Sequence, residues 1–135
     1  GLPAFLTPEP GLNSGLMMVQ VAAAALVSEC KTLAHPASVD SIPTSAGQED
    51  HVSMSTWASR KLSSIVELLR LVLGMEYLAA VQALEFHRPR HSSETLERAV
   101  LALRRRVSRL DEDRVLAPDI ECAAKLVEGL AELLG

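Results

Sequence analysis

Apolar residues crowd two long stretches of the chain and thin to single stripes in two shorter ones, and this contrast sets the expected elements. From Leu12 to Leu33 the run LNSGLMMVQVAAAALVSECKTL is rich in helix formers, with apolar residues on every face. A helix over residues 12–33 is predicted, of a kind that must be buried all round. His35 and Pro36 end it, because proline disfavours helical dihedrals in the residue before it and has no N–H to donate. Residues 1–11 carry Pro3, Pro8 and Pro10 and read as an irregular lead-in, while residues 34–45 read as a loop through Ser38, Asp40, Pro43 and Thr44.

Ser45 followed three residues later by Gln48 has the pattern of a capping box, which starts a second predicted helix over residues 46–87. Glu49 and Asp50 would then stand in its first turn, with Glu49, Ser53, Thr56, Arg60 and Ser63 spaced along one polar face. Further on, Val66 to Leu73 and Met75 to Leu84 contain only Glu67, Arg70, Glu76 and Gln82 as strongly polar residues, again more apolar surface than one stripe. Arg88 to His91 forms a basic turn containing Pro89. Ser92 or Ser93 can cap a third helix over residues 93–110, with acids near its start and Arg104 to Arg106 towards its end, as the helix dipole favours. Its seam is Leu96, Val100, Leu103, Val107 and Leu110. After a charged connector from Asp111 to Ala117, Pro118 suits a first helical position, and Ile120, Ala124, Val127, Ala131 and Leu134 mark a last amphipathic helix over residues 118–134.

The fold class is therefore all-α, a bundle of long helices. Two of its helices are too apolar to be covered by two amphipathic ones in 135 residues. Further domains or partner chains are expected to hide the excess, and a homodimer would serve equally. Composition agrees: hydrophobic residues make up 48% but aromatics only 3%, so the apolar content is mostly Leu, Val, Ala and Met. A formal charge of −4 without any dense cluster of Lys and Arg argues against nucleic acid as a partner. The longest apolar run, Leu16 to Val27, is broken by Gln20 and shorter than the ~20 residues of a membrane crossing, so no membrane span is expected. Cys30 and Cys122 read as reduced thiols of a cytoplasmic protein, with a disulfide between them left open. No secretory leader pattern is present, and a start at Gly1 suggests a fragment or a processed chain.

Candidate chemistry is sparse. Glu49 and Asp50 are where a helix dipole alone would put acids, and a functional role for them requires a pocket nearby. His35 and His51 are separated by sixteen positions, which matches no metal-ligand spacing, so capping and loop packing are expected of both and no metal site is assigned. Met17 and Met18 read as core filler, and the triple arginine as charge on a solvated helix end. There is no Gly-x-Ser-x-Gly elbow, phosphate-cradling glycine loop or Cys-x-x-Cys pair. Motif chemistry by itself identifies no enzyme.

The segment AHPASVDSIPTSAGQEDHVSM, Ala34 to Met54, nevertheless resembles histidine ammonia-lyases of the aromatic amino acid lyase family. The resemblance extends upstream through GLPAFLTPEPGLNSGLMMVQVAAAALVSECKTL and downstream through DRVLAPDIECAAKLVEGL, so it covers the chain. Cys30 and Gly47 stand where asparagine is frequent in the family, and Trp57 is unusual. The resemblance implies the C-terminal part of the ammonia-lyase and fumarase-like helical fold, in a homotetramer that eliminates ammonia from L-histidine to give urocanate. It also implies a methylidene-imidazolone prosthetic group, formed from an internal Ala-Ser-Gly triplet, and a tyrosine as base. Neither is supplied here: no Ala-Ser-Gly occurs, and the single tyrosine, Tyr77, matches no such position. Two residues carry over. Glu49, in the Gln-Glu-Asp-His run, matches a substrate-contacting, catalytic glutamate, and Met17 matches a substrate-pocket position that resembles lysine in phenylalanine ammonia-lyases. Tyrosine or phenylalanine as substrate, a non-catalytic helical oligomerisation module, and an unrelated helical oligomer stand as alternatives.

Overall fold

The computed structural model describes residues 1–134. Among them the regular structure is helical and there is no strand; two isolated bridges, Pro10 with Asn13 and Thr44 with Glu49, complete the backbone pairing. The helices are α1 (Met17–Leu33), α2 (Ser55–Glu85), α3 (Glu94–Arg104), α4 (Ala117–Val127) and α5 (Leu130–Leu134), with short 3-10 turns at Ala4–Leu6, Ala37–Val39 and Ser45–Gly47. Gly135 and the side chains of Leu133 and Leu134 lie outside the described residues, and with them the expected place of Leu134 on the last apolar stripe.

The first helix ends at Leu33 as predicted, while several other predicted ends move, each for a local reason. The first helix starts at Met17 rather than Leu12, because Gly11 and Gly15 take left-handed dihedrals (φ +100° and +54°) that a right-handed helix does not accommodate. Gly15 has a further constraint: a Cβ there would lie 2.5 Å from the Phe5 carbonyl oxygen, which accepts the Leu16 N–H at 2.9 Å. The capping box at Ser45 and Gln48 does not form. Ser45, Ala46 and Gly47 have φ of +54°, +57° and +85°, so the helix waits until Ser55, and Glu49, Asp50 and Ser53 belong to a loop instead of a first turn and polar face. Ser93 does cap α3, its hydroxyl accepting the Leu96 N–H at 3.4 Å. That helix stops at Arg104, six residues early, because the Arg104 guanidinium turns to the carbonyls of Val107 and Ser108. The last predicted helix is broken at Glu128 and Gly129 into α4 and α5, with Pro118 in the first turn of α4.

The long helix α2 is the spine. Its C-terminal half joins one cluster with α3 and α4, built from Tyr77, Leu78, Val81, Val100, Leu103, Val107 and Ala123. A second cluster joins it to the start of α1 through Leu16, Val19, Met75 and Leu110. Gly74 lets α2 and α4 approach closely, since a Cβ at Gly74 would lie 2.7 Å from the Ala124 backbone nitrogen. The predicted seam of the third helix is buried except at Leu96, which is 44% exposed.

Most buried polar groups in this half are partnered; Arg109 Nε, buried beside the Phe86 ring, makes no hydrogen bond. Gln82 donates to the carbonyls of Leu6 and Leu110 and accepts from the Leu110 N–H and from Arg104. Arg104 also grips both carboxylate oxygens of Glu85 at 2.8 and 2.7 Å. The expectation of a solvated arginine run therefore fails at Arg104, which follows the fully buried Leu103 and is drawn inward with it, while Arg105 and Arg106 are exposed. At the α2–α3 corner Arg88 holds Glu97 at 2.7 and 2.9 Å, and the Ser92 N–H donates to the same carboxylate. The guanidinium first, and that N–H second, pull the Glu97 carboxyl down to about 2.

The other half is open. α1 buries only Val19, although its sequence asks for burial all round, and Met18 is 59% exposed, which corrects its reading as core filler. Among the described residues nothing else lies over that face of α1, since α2 takes one side only. Within Met17–Val39 the most apolar 18-residue window has a mean hydropathy of 1.3 and is 6% buried, apolar enough by composition alone for a membrane crossing. Its helix ends at Leu33, however, and 17 residues reach about 25 Å, less than the ~30 Å of a hydrocarbon layer. Cys30 and Cys122 are free thiols, both half-buried.

Candidate functional site

Glu49 sits on a hairpin-like loop rather than on a helix. Thr44 and Glu49 exchange both backbone hydrogen bonds, Thr44 N–H to Glu49 O at 2.9 Å and Glu49 N–H to Thr44 O at 3.3 Å. The tip between them is the left-handed run Ser45, Ala46 and Gly47, a conformation that stores strain at Ser45 and Ala46. At Gly47 a Cβ would meet no atom within 4 Å, so the backbone angle is the constraint there, not space. Glycine and asparagine are the residues that adopt this angle most readily.

Three residues outward on each side the loop is tied again. The Val52 N–H donates to the Ser41 hydroxyl oxygen at 2.9 Å, and the Ser41 O–H donates back to the Val52 carbonyl at 3.2 Å. Beneath lies a cavity of about 260 Å³ whose lining includes Asp40, His51, Met54 and Ala58. The base of the loop is fastened to α2 by Lys61, whose ammonium donates to the His35 carbonyl and stands 5.9 Å from the centre of the Trp57 ring. His35 and His51 thus belong to loop architecture, and among the described residues no group of three or more His, Cys, Asp or Glu gathers as a metal site would require.

Met17 is the first residue of α1 and is half-buried. The turn in front of it is held from a distance: the Asp113 carboxylate accepts the N–H groups of Ser14 at 2.8 Å and Gly15 at 2.9 Å, and the Asp113 N–H donates to the Asn13 side chain at 3.2 Å. The two N–H groups, Ser14 first, hold the Asp113 carboxyl below the usual range. Glu49 is exposed, and neither it nor Met17 lines the cavities described in this chain. Tyr77 is buried and donates its hydroxyl to the Ala99 carbonyl at 2.5 Å, and burial pushes its phenol up. It is a core phenol. No local sequence pattern marks Ser41, Lys61 or Asp113, since each works through partners 11 to 100 residues away.

Comparison with known proteins accords with this arrangement. The family model for aromatic amino acid lyases matches residues 1–105. A histidine ammonia-lyase of Rhodospirillum rubrum is 59% identical over 127 residues, which is 94% of this chain and 25% of that protein. The crystal structure of histidine ammonia-lyase from Trypanosoma cruzi superposes with a TM-score of 0.94 at 43% identity, covering 98% of this chain and 27% of that one. A tyrosine aminomutase from Streptomyces globisporus follows at a TM-score of 0.87 and 37% identity, covering 98% of this chain and 25% of that one. The chain thus spans about a quarter of the length of the relatives it matches. With an all-helical fold, the Gln48 to His51 run on a tied loop and a family match over most of its length, the chain belongs to the aromatic amino acid lyase family.

Proposed function

We propose that this chain is the C-terminal part of a histidine ammonia-lyase, a cytoplasmic homotetramer that converts L-histidine to urocanate and ammonia without oxidation. The observation that carries the reading is Glu49, the acid of the Gln-Glu-Asp-His run, offered to the outside on a loop tied by its own backbone. The 59% identity to a histidine ammonia-lyase supports histidine over other substrates. So does the apolar Met17, at a position resembling lysine in phenylalanine ammonia-lyases. The open faces of α1 and the first half of α2 support association with further copies and with the remainder of the protein.

In this reading Glu49 hydrogen-bonds the substrate and assists proton transfer, and Met17 packs against it. The methylidene-imidazolone, when present, supplies an electrophile that activates the substrate for loss of ammonia. These 135 residues contain no Ala-Ser-Gly, and Tyr77 is engaged in the core, so the prosthetic group and the base come from other parts of the protein and this chain alone is inactive. In the full-length protein, Glu49→Gln should lower urocanate formation, followed by its ultraviolet absorbance, by ~10²-fold or more. Near-normal turnover in that variant would remove Glu49 from the chemistry. A tyrosine-directed lyase or aminomutase is the second reading, on the 37% identity to the aminomutase, and a substrate panel in the same assay separates the two.

A further inference from the structure

The loop that carries Glu49 has almost nothing but polar cross-links to hold it. Residues 42–51 are all exposed, so burial does not fix the loop's shape. Its tip is strained at Ser45 and Ala46, and Pro43, between the two ties, has no N–H to offer. Beyond the Thr44–Glu49 pair, the hydrogen bonds that cross the loop among the described residues are those between the Ser41 hydroxyl and the two backbone groups of Val52. Ser41 and Val52 lie three positions outward of Thr44 and Glu49 respectively, so they continue the same antiparallel register. One hydroxyl here ties a pair at which antiparallel pairing offers no backbone rung, accepting and donating at once. A hydroxyl does both through a single oxygen.

The geometry points to Ser41 as a positioning residue for Glu49, its hydroxyl fixing the register in which the loop presents the carboxylate. This inference rests on the reading of Glu49 as a substrate contact. Without the hydroxyl, Val52 turns to water and the Thr44–Glu49 pair is left as the loop's only cross-tie, free to move relative to the start of α2. Misplacement of a catalytic group by about 1 Å can cost as much as 10²-fold in rate.

The test is a cycle of variants in the full-length protein, read by kcat/KM for L-histidine and by hydrogen exchange at the Val52 amide. Ser41→Ala should lower kcat/KM by ~10-fold and speed Val52 exchange, and Ser41→Thr should recover most of both. Adding Ser41→Ala to Glu49→Gln should cause no further loss, because the two residues act as one unit; a general weakening of the fold would multiply the two losses instead. Multiplying losses, or a normal kcat/KM in Ser41→Ala beside a crippled Glu49→Gln, would overturn the proposal. If Glu49→Gln is itself unimpaired, the substrate-contact reading falls and takes the kinetic role of Ser41 with it, a result set apart by Val52 exchange still rising in Ser41→Ala.

Discussion

From Gly74 onward α2 is walled in by α3, α4 and the start of α1, with Met75, Tyr77, Leu78, Val81 and Gln82 buried, whereas from Ser55 to Leu73 the same helix buries only Lys61. In that first half Trp57, Leu62, Val66, Leu69 and Leu73 are exposed, and α1 beside it is nearly as open. Both halves carry many apolar residues; what differs is where the chain returns. The packed half is a self-sufficient core whose polar groups, Gln82, Arg104 and Glu85, satisfy one another. The open half carries Glu49 on its loop, and its uncovered apolar faces mark it as a surface made to be completed by other segments. Structural stability and candidate chemistry are thus divided along one helix.

The strongest challenge to that division is Leu103→Ala in the packed half. Leu103 is fully buried, and its truncation should cost about 2–5 kcal/mol of the chain's stability, measured by urea unfolding. A loss below about 1 kcal/mol would mean that this cluster is not the core.

Acid probes the ties in both halves. Asp113, in the connector before α4, holds the start of α1, and Glu97 holds the α2–α3 corner; both carboxyls are depressed in the folded chain. A group depressed on folding stabilises above its unfolded value and loses that contribution as pH falls through the folded one. Stability should therefore hold down to roughly pH 4, near the unfolded carboxyl values, and then decline. The Ser92 amide, bonded to Glu97, should report a midpoint at about 2 by NMR, and the Ser14 and Gly15 amides a midpoint below the ordinary aspartate range. Ordinary midpoints at these amides would dissolve both ties.

The smallest effect is expected in the open half. Val66→Gln and Leu69→Gln, at residues 55% and 47% exposed, should change the chain's own stability by no more than about 0.5 kcal/mol. They should also reduce its self-association in light scattering. A substantial loss of stability would show that these faces are already covered within the chain.

Much of this was legible in the sequence. The all-helical class followed from helix-forming apolar residues in long runs, the end of α1 from Pro36, and the cap of α3 from Ser93, because each depends on neighbours within a turn or two. The excess of apolar surface was visible in the same way, and so were the Gln48 to His51 run and its family resemblance. The start of α2 was misread at Ser45, because a capping box is a side-chain pattern and says nothing of the left-handed dihedrals that the Thr44–Glu49 pairing imposes.

Tertiary structure alone decided which half of α2 is covered, that Arg104 turns inward, and that Ser41 and Asp113 are ties rather than a loop hydroxyl and a connector charge. The physical reason is range. Periodicity and capping encode interactions over about four residues, while these partners are 11 to 100 residues apart and are chosen by how the chain packs on itself.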